Sequence, residues 1–348
     1  MMKKSIFAVA VASALTLGAA QAETVLYGSI RYDYESKKNE FGDTTLSANG
    51  KAERVSNLSD AGSRIGLKGS EDLGNGNAVI YNLEWAFDGM ENGKEGSGTA
   101  GGFKNRLAVL GLTGDWGTFT AGRQYNPFYN VIVDGTVVDS FNGSSVISSA
   151  AQRAMTSTLL GVNSYNGTEE TAVNAALFSR VGKVIAYTTP ELAGFQANVA
   201  LMMDDGLYAT NDEKNIDLWT INAKYAYDLG ANGVIDAQAG YIQGKIADKN
   251  KSKAWGLRLG YSQDAFAVSA AYVDGNHKNI GKFGIPADSK EKSKGWDLGA
   301  SFSFGPNYFS SVRANYGENQ VKVDGDKAKV KSWAVGFEQK LSTRTRAW

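Results

Sequence analysis

Between Trp219 and Phe337 the chain repeatedly sets an apolar or aromatic residue against a small or polar one at period two. Trp219, Ile221, Ala223, Tyr225 and Tyr227 alternate with Thr220, Asn222 and Lys224. Trp255, Leu257, Leu259 and Tyr261 alternate with Gly256, Arg258 and Gly260, and Trp296, Leu298, Ala300, Phe302 and Phe304 with Asp297, Gly299, Ser301 and Ser303. Period two means strands whose alternate side chains face opposite ways. The apolar row begins and ends in rings, while the other row is Gly, Ser, Asn, Gln and charge. A soluble sandwich buries its apolar face against a second sheet. A membrane barrel turns that face to lipid, rims it with aromatics and lines a wet lumen with the polar row.

The N-terminus reads as a leader. Lys3 and Lys4 precede an apolar run from Ile6 to Ala20, and Ala20-Gln21-Ala22 offers an A-x-A cleavage site, so the mature chain is expected to start at Glu23. Residues 1–22 are thus a signal peptide and 23–348 a single barrel domain. No later stretch is long and apolar enough for a spanning helix, so an exported chain of this kind enters a membrane only as a barrel. Without the two leader lysines, 34 basic residues against 36 acidic ones leave a net charge of −2. That gives no basic footprint for nucleic acid. Cysteine is absent, so stability must come from sheet closure. The four prolines, Pro127, Pro190, Pro286 and Pro306, fall in expected turns or loops, where a missing N–H breaks no ladder.

Tight turns alternate with long polar connections. Glu71–Gly76, Thr113–Gly117, Thr189–Gly194, Asp228–Gly233, Ser262–Asp264, Gly305–Asn307 and Lys340–Thr343 carry the Gly, Asn, Asp and Pro of short reversals. Longer polar segments lie near 35–59, 89–102, 124–179, 204–214, 244–252, 274–293 and 318–330. The spacing predicts strands at 24–34, 63–71, 77–88, 104–113, 117–123, 180–189, 194–203, 215–228, 233–243, 253–262, 265–273, 294–304, 308–317 and 331–340, with a fifteenth begun at Arg344. Single-chain bacterial barrels have an even number of strands. The expectation is therefore an all-β transmembrane antiparallel barrel of sixteen strands whose last strand is missing from this sequence, or fourteen strands if one has been split in two. A stop codon directly after Trp348 in the coding sequence would exclude the first option.

The segment Thr24-Val25-Leu26-Tyr27-Gly28, then Ser63 to Gly74 (SRIGLKGSEDLG), resembles the trimeric general porins of Gram-negative outer membranes, most of all the neisserial and betaproteobacterial branch. Asn105-Arg106, Asp115-Trp116-Gly117-Thr118, Gly122-Arg123-Gln124, Tyr187 to Phe195 and Leu341 to Thr345 continue the likeness over the whole mature chain. The resemblance implies a sixteen-stranded barrel in the outer membrane, a homotrimer among outer-membrane lipid and lipopolysaccharide, no cofactor, and passive diffusion of ions and small hydrophilic solutes. Family members end on a strand closing with an aromatic residue well beyond a motif like Leu341–Thr345. Here only three residues follow it, which departs from the pattern.

A diffusion pore works through width and field. Residues 124–179 contain no clear strand, and a structureless stretch of that length is usually functional. It resembles the porins' third loop, which folds inward and narrows the lumen, and Ser144–Gly161 is a candidate short helix. Parity marks Arg31, Arg64, Lys68, Arg106, Arg123, Arg258 and Arg313 as candidate lumen cations, imperfectly at Arg106 and Arg123, where both faces are apolar. In the resembling family an arginine ladder on the wall faces acids on the loop. Arg64, Arg106 and Arg123, with Arg31, are the positions carried over, and Asp134, Asp139, Glu169 and Glu170 the acidic partners; such opposed charge sets selectivity. Trp85, Phe87, Trp219, Tyr227, Trp255, Tyr261, Tyr272, Trp296, Phe304, Tyr308 and Trp333 lie near strand ends, where interface girdles belong. Rival readings are a substrate-selective sugar or anion channel, a barrel enzyme working through the lone histidine His277, and a soluble sandwich or adhesin.

Overall fold

The computed structural model describes residues 24–38, 54–90, 102–141, 148–160, 178–203, 216–247, 250–278 and 289–348. Its strands are β1 (Val25–Ser29), β2 (Tyr32–Lys38), β3 (Arg54–Asp60), β4 (Arg64–Gly74), β5 (Asn77–Ala86), β6 (Lys104–Gly114) and β7 (Gly117–Tyr125). Helices α1 (Pro127–Ile132) and α2 (Ala150–Leu160) follow, and then β8 (Arg180–Thr188), β9 (Phe195–Met202), β10 (Leu218–Asp228), β11 (Val234–Ala247) and β12 (Asn250–Gln263). The chain continues through β13 (Phe266–Lys278), β14 (Lys290–Phe304), β15 (Ser310–Val323), β16 (Asp326–Lys340) and β17 (Arg346–Ala347). Fifteen of these form one antiparallel sheet in chain order, β1 followed directly by β4, while β2 and β3 pair separately. The architecture is the expected all-β antiparallel barrel. The sheet curls until Trp348 Nε1–H donates to Asp33 Oδ1 at 2.9 Å, so its two edges approach each other. Among the described residues no ladder joins β1 to β17.

β1–β2 and β3–β4 are two arms of a single bent hairpin. The break falls at Ile30–Arg31 and Ala61–Ser63, where Asp60 accepts from the N–H of Gly62 at 2.8 Å and Ser63 Oγ accepts from the N–H of Arg31 at 2.9 Å. Counting each arm once gives fourteen strands and the two-residue β17. Four expected loops are shorter than read, the one at 274–293 because β13 runs on to Lys278 and β14 begins at Lys290. β3 occupies 54–60, β11 and β12 run through most of 244–252, and β15 and β16 fill 318–330 with only an Asp324–Gly325 turn between them. Both turn residues take positive φ, 45° and 120°, as a two-residue hairpin requires. On β15 and β16 the alternation runs on beyond the aromatic band with its sense reversed, lysines filling the outward row and Val321, Val323, Ala328 and Val330 the inward one.

The outward row is apolar and open, with Ile221 55%, Leu298 57%, Val335 70% and Trp333 74% exposed. Exposed apolar surface on this scale fits lipid, not water. Near one rim the rings form a girdle: Trp219 lies 5.4 Å from Tyr241, Trp255 5.2 Å from Tyr272 and Trp296 5.5 Å from Tyr316. At the other rim Phe302, Phe304 and Phe337 do the same.

The hydrophobic core lies on the inner side of the sheet. Phe128 and Ile132 of α1 and Met155 and Leu159 of α2 are fully buried, packed with Phe178, Val181, Met202, Leu218, Ile242 and Val273. Each contributes roughly 1.5–3 kcal/mol of apolar transfer. Glycines on the inner row make room for them: a Cβ on Gly256 would stand 2.5 Å from Ile132 Cγ2, and one on Gly299 2.5 Å from Val137 Cβ. Asp297, on the same inner row, caps α2 where the helix rests on β14, accepting from the N–H groups of Ala150 at 3.0 Å and Ala151 at 2.9 Å and from Ser149 Oγ at 2.6 Å. A buried carboxylate at a helix N-terminus satisfies orphan donors and complements the dipole.

Two substitutions test this seating. Gly256→Val is expected to lower unfolding stability by about 1–3 kcal/mol through overpacking. Asp297→Ala is expected to cost about 1–2 kcal/mol by uncapping α2. Urea midpoints of the refolded protein in detergent measure both, and wild-type midpoints would contradict the packing.

Candidate pore constriction

The segment between β7 and β8 leaves the wall at Asn126, whose Oδ1 accepts from the N–H of Phe128 at 3.0 Å with Pro127 opening α1. The backbone N–H of Asn126 donates to the carbonyl of Ser179 at 3.0 Å, so both ends of the segment are held side by side. From there it crosses the inner face toward β10–β15. Val137 N–H donates to Ser269 Oγ of β13 at 2.8 Å. Arg258 of β12 donates to the carbonyl of Asp134 and pairs with Asp236 Oδ2 at 2.9 Å. Arg313 of β15 donates to the carbonyl of Ser140 and faces Glu338 Oε2 at 3.5 Å. These two arginines, candidate lumen cations by parity, tie the segment to the wall.

A basic cluster occupies the other wall. Buried Glu84 of β5 accepts from Arg106 Nε at 2.5 Å and from Tyr27 Oη at 3.1 Å. Arg31 lies within electrostatic reach of Arg64, Arg106, Arg346 and Glu84. Its Nε donates to Ser29 Oγ at 3.0 Å, and Arg64 Nε donates to the carbonyl of Gly62 at 3.2 Å. Arg180, at the start of β8, stands 5.3 Å over the Tyr125 ring and within reach of Arg106 and Glu84. Tyr125 stacks on Tyr129 of α1 at 6.2 Å, which carries the contact from the arginine wall onto the infolded segment. Lys68 sits apart, 5.6 Å over the Tyr27 ring.

Asp134 and Asp139 follow Tyr129 on the segment. Asp139 reaches solvent, yet desolvation by the surrounding protein, with the like charge of Asp134, pushes its carboxyl up to about 6. Desolvation also raises Asp134, with Arg258 and Lys224 opposing. Burial pushes the Tyr129 hydroxyl up as well, helped by Asp139. Glu169 and Glu170 lie outside the described residues.

Of the expected residues, Arg31, Arg64 and Arg106 thus gather near Glu84 on one wall, while Asp134 and Asp139 lie on the segment near Arg258. Arg123 does not join them. It pairs with Ala108 in the row of Leu26, Leu67 and Leu83, whose side chains face away from the lumen, and its Nε donates to the carbonyl of Asn105 at 3.2 Å. Gly122, bulged at φ +117°, precedes it. Glu84, Arg180, Tyr129 and Asp297 were not singled out from sequence as site residues. Glu84 and Asp297 stand on polar rows between Leu83 and Trp85 and between Trp296 and Leu298, so parity marks them as inward; only the partner residues, distant in sequence, reveal their roles.

Comparison with known proteins gives this architecture its family. The model of the Gram-negative porin family matches residues 8–347. Major outer membrane protein P.IB of Neisseria gonorrhoeae is 31% identical over 221 residues, 62% of this chain and 53% of that protein. The P.IB protein of Neisseria lactamica is 27% identical over 99% of this chain and 91% of its own length. Among solved structures, the anion-selective porin from Comamonas acidovorans superposes with a TM-score of 0.66 at 21% identity, covering 94% of this chain and 86% of that one. The chain belongs to the Gram-negative porin family and is an outer-membrane barrel serving as a passive channel.

Proposed function

We propose that the protein passes ions and small hydrophilic solutes by diffusion, and that the passage is narrowest between the arginine wall and the infolded segment 124–179. The observation that carries this reading is the asymmetric filling of the barrel. The segment packs on the inner row of β10–β15, leaving the passage to run past Arg31, Arg64, Arg106 and Arg180 with Asp139 opposite. Opposed charges across a narrow gap set up a transverse field that orients water and favours polar, charged solutes over apolar ones. Residues 1–22 act as the export leader, and the assembly is a homotrimer, as family membership suggests. His277, the residue on which a histidine-dependent hydrolase would turn, is instead buried against Glu291 Oε2 at 3.1 Å. A substrate-selective channel would differ in showing conductance that saturates with solute.

Bilayer recordings under a salt gradient test the reading. Arg64→Ser with Arg106→Ser is expected to move the reversal potential toward cation preference by ten millivolts or so, on the order of what removing two charges from a constriction ring produces. An unchanged potential would place the selectivity elsewhere. Acidity gives a second handle. Asp139 is ionised above about pH 6 and neutral below, while the arginines stay charged. Lowering the pH from 7 to 5 therefore strips one negative charge from the passage and is expected to shift selectivity toward anions, a shift that Asp139→Asn removes. The same shift in Asp139→Asn would assign the titration to another group.

A further inference from the structure

Three tyrosines stand among the arginines near Glu84. Tyr27 donates to Asn82 Oδ1 at 2.7 Å and to Glu84 Oε2 at 3.1 Å. Tyr125, at the end of β7, has Arg180 over its ring and lies nearly parallel to Tyr129 of α1, the two planes 14° apart. Tyr125 is also within electrostatic reach of Tyr27. Tyr129 packs partly against the hydrophobic core, yet neither it nor Tyr125 is fully buried, so both keep part of a ring for solvent. Fixing Arg180 accounts for one face of Tyr125. The parallel pair offers further aromatic surface that no described residue uses.

The charges around these rings are unbalanced. Arg106 has Glu84 at 2.5 Å, but among the described residues no carboxylate comes within ion-pairing distance of Arg31, Arg64 or Arg180. Guanidinium groups without an acid favour an external carboxylate, which they meet with several N–H donors at once. Tyr129 links this cluster to charge of the other sign. Its hydroxyl is within electrostatic reach of Arg180 and equally of Asp139 and Asp134 on the infolded segment. Among the described residues no cation pairs with the carboxylate of either acid, and Asp139 is exposed. Unpaired guanidinium, a stacked aromatic surface and an unpaired carboxylate thus follow one another along the root of the segment.

We infer that Tyr125 and Tyr129 make the constriction favour aromatic zwitterions, namely amino acids with a ring side chain. The carboxylate meets Arg180 and Arg106, the ammonium meets Asp139, and the ring extends the tyrosine pair. This rests on the pore reading above and narrows the class of solute that such a pore retains longest. Opposed charges orient the solute's dipole, and ring stacking adds about three- to tenfold in affinity over a solute without a ring.

The test uses the full refolded chain in planar bilayers near neutral pH and at fixed salt, reading the solute concentration that halves single-channel current. The probes are phenylalanine, alanine without the ring, phenylpropionate without the ammonium, and phenylethylamine without the carboxylate. Phenylalanine is expected to act at the lowest concentration, the others needing about threefold more or greater. Tyr125→Leu with Tyr129→Leu is expected to raise the phenylalanine value about three- to tenfold and leave the alanine value in place. Tyr125→Phe with Tyr129→Phe retains the wild-type value, because the rings remain. Asp139→Asn is expected to bring phenylalanine to the level of phenylpropionate. Any of the other three solutes matching phenylalanine on the unaltered protein would overturn the subsite, and so would a Leu protein that still prefers phenylalanine to alanine. The comparison on the unaltered protein stays decisive if the Leu protein fails to fold. A pore whose reversal potential moves with Arg64→Ser and Arg106→Ser but which treats the four solutes alike contradicts this inference alone, whereas an unmoved potential counts against the pore reading itself.

Discussion

Backbone hydrogen bonding in a medium without water is the constraint on which the structure depends. Every N–H and C=O at membrane depth has to find a partner within the protein, and for strands that means an antiparallel ladder curled toward closure. Once the ladder fixes the backbone, only the side chains remain to be chosen, and period two assigns them to two solvents. The outward row is apolar because it meets lipid. The inward row is under no such demand. It takes charge on β4–β6, and on β12–β14 it gives up side chains at Gly256, Gly275, Gly295 and Gly299.

That difference between the walls organises the interior. A glycine-lined shelf lets α1 and α2 approach the strands closely, and three polar groups fasten the segment there: the buried Arg258 and Asp297, and the half-buried Arg313. The two arginine fastenings are partly internal to the wall, since Arg258 also pairs with Asp236 and Arg313 with Glu338. A buried charge with two partners is far less costly than one with none. With one side of the barrel filled, the open path is displaced against the other, where the arginines cluster about Glu84. On the proposed reading, selectivity is thus a consequence of packing: the shelf decides which wall the solute meets.

Much of this was legible in the sequence, and the limits have physical causes. Strands with a lipid-facing row, such as 294–304, declare themselves because alternation contrasts two environments. The extension at 318–330 carries lysines outward in place of lipid-facing rings, so it is polar on average and reads as a loop although Val321, Val323, Ala328 and Val330 keep the alternation. Parity alone found Arg31, Arg64, Arg258 and Arg313. It could not separate the two gathered near Glu84 from the two that anchor the segment, because the anchors depend on partners more than a hundred residues away. Arg123 shows a different limit. A single bulged glycine before it and its pairing with Ala108 set the facing, and such local irregularity leaves little trace in a pattern of hydropathy.

The central claim is that the segment between β7 and β8 lies against the inner row of the far wall. The chain contains no cysteine, so a paired substitution reports on this contact without background. Val137 N–H meets Ser269 Oγ at 2.8 Å, which brings the two side-chain origins within reach of a disulfide. In Val137→Cys with Ser269→Cys, mild oxidation of the folded protein is predicted to form the cross-link rapidly and nearly completely, seen as a mobility change after denaturation that reductant reverses. Two thiols that stay free in folded, conducting protein would contradict the infolded arrangement and the account of selectivity built on it.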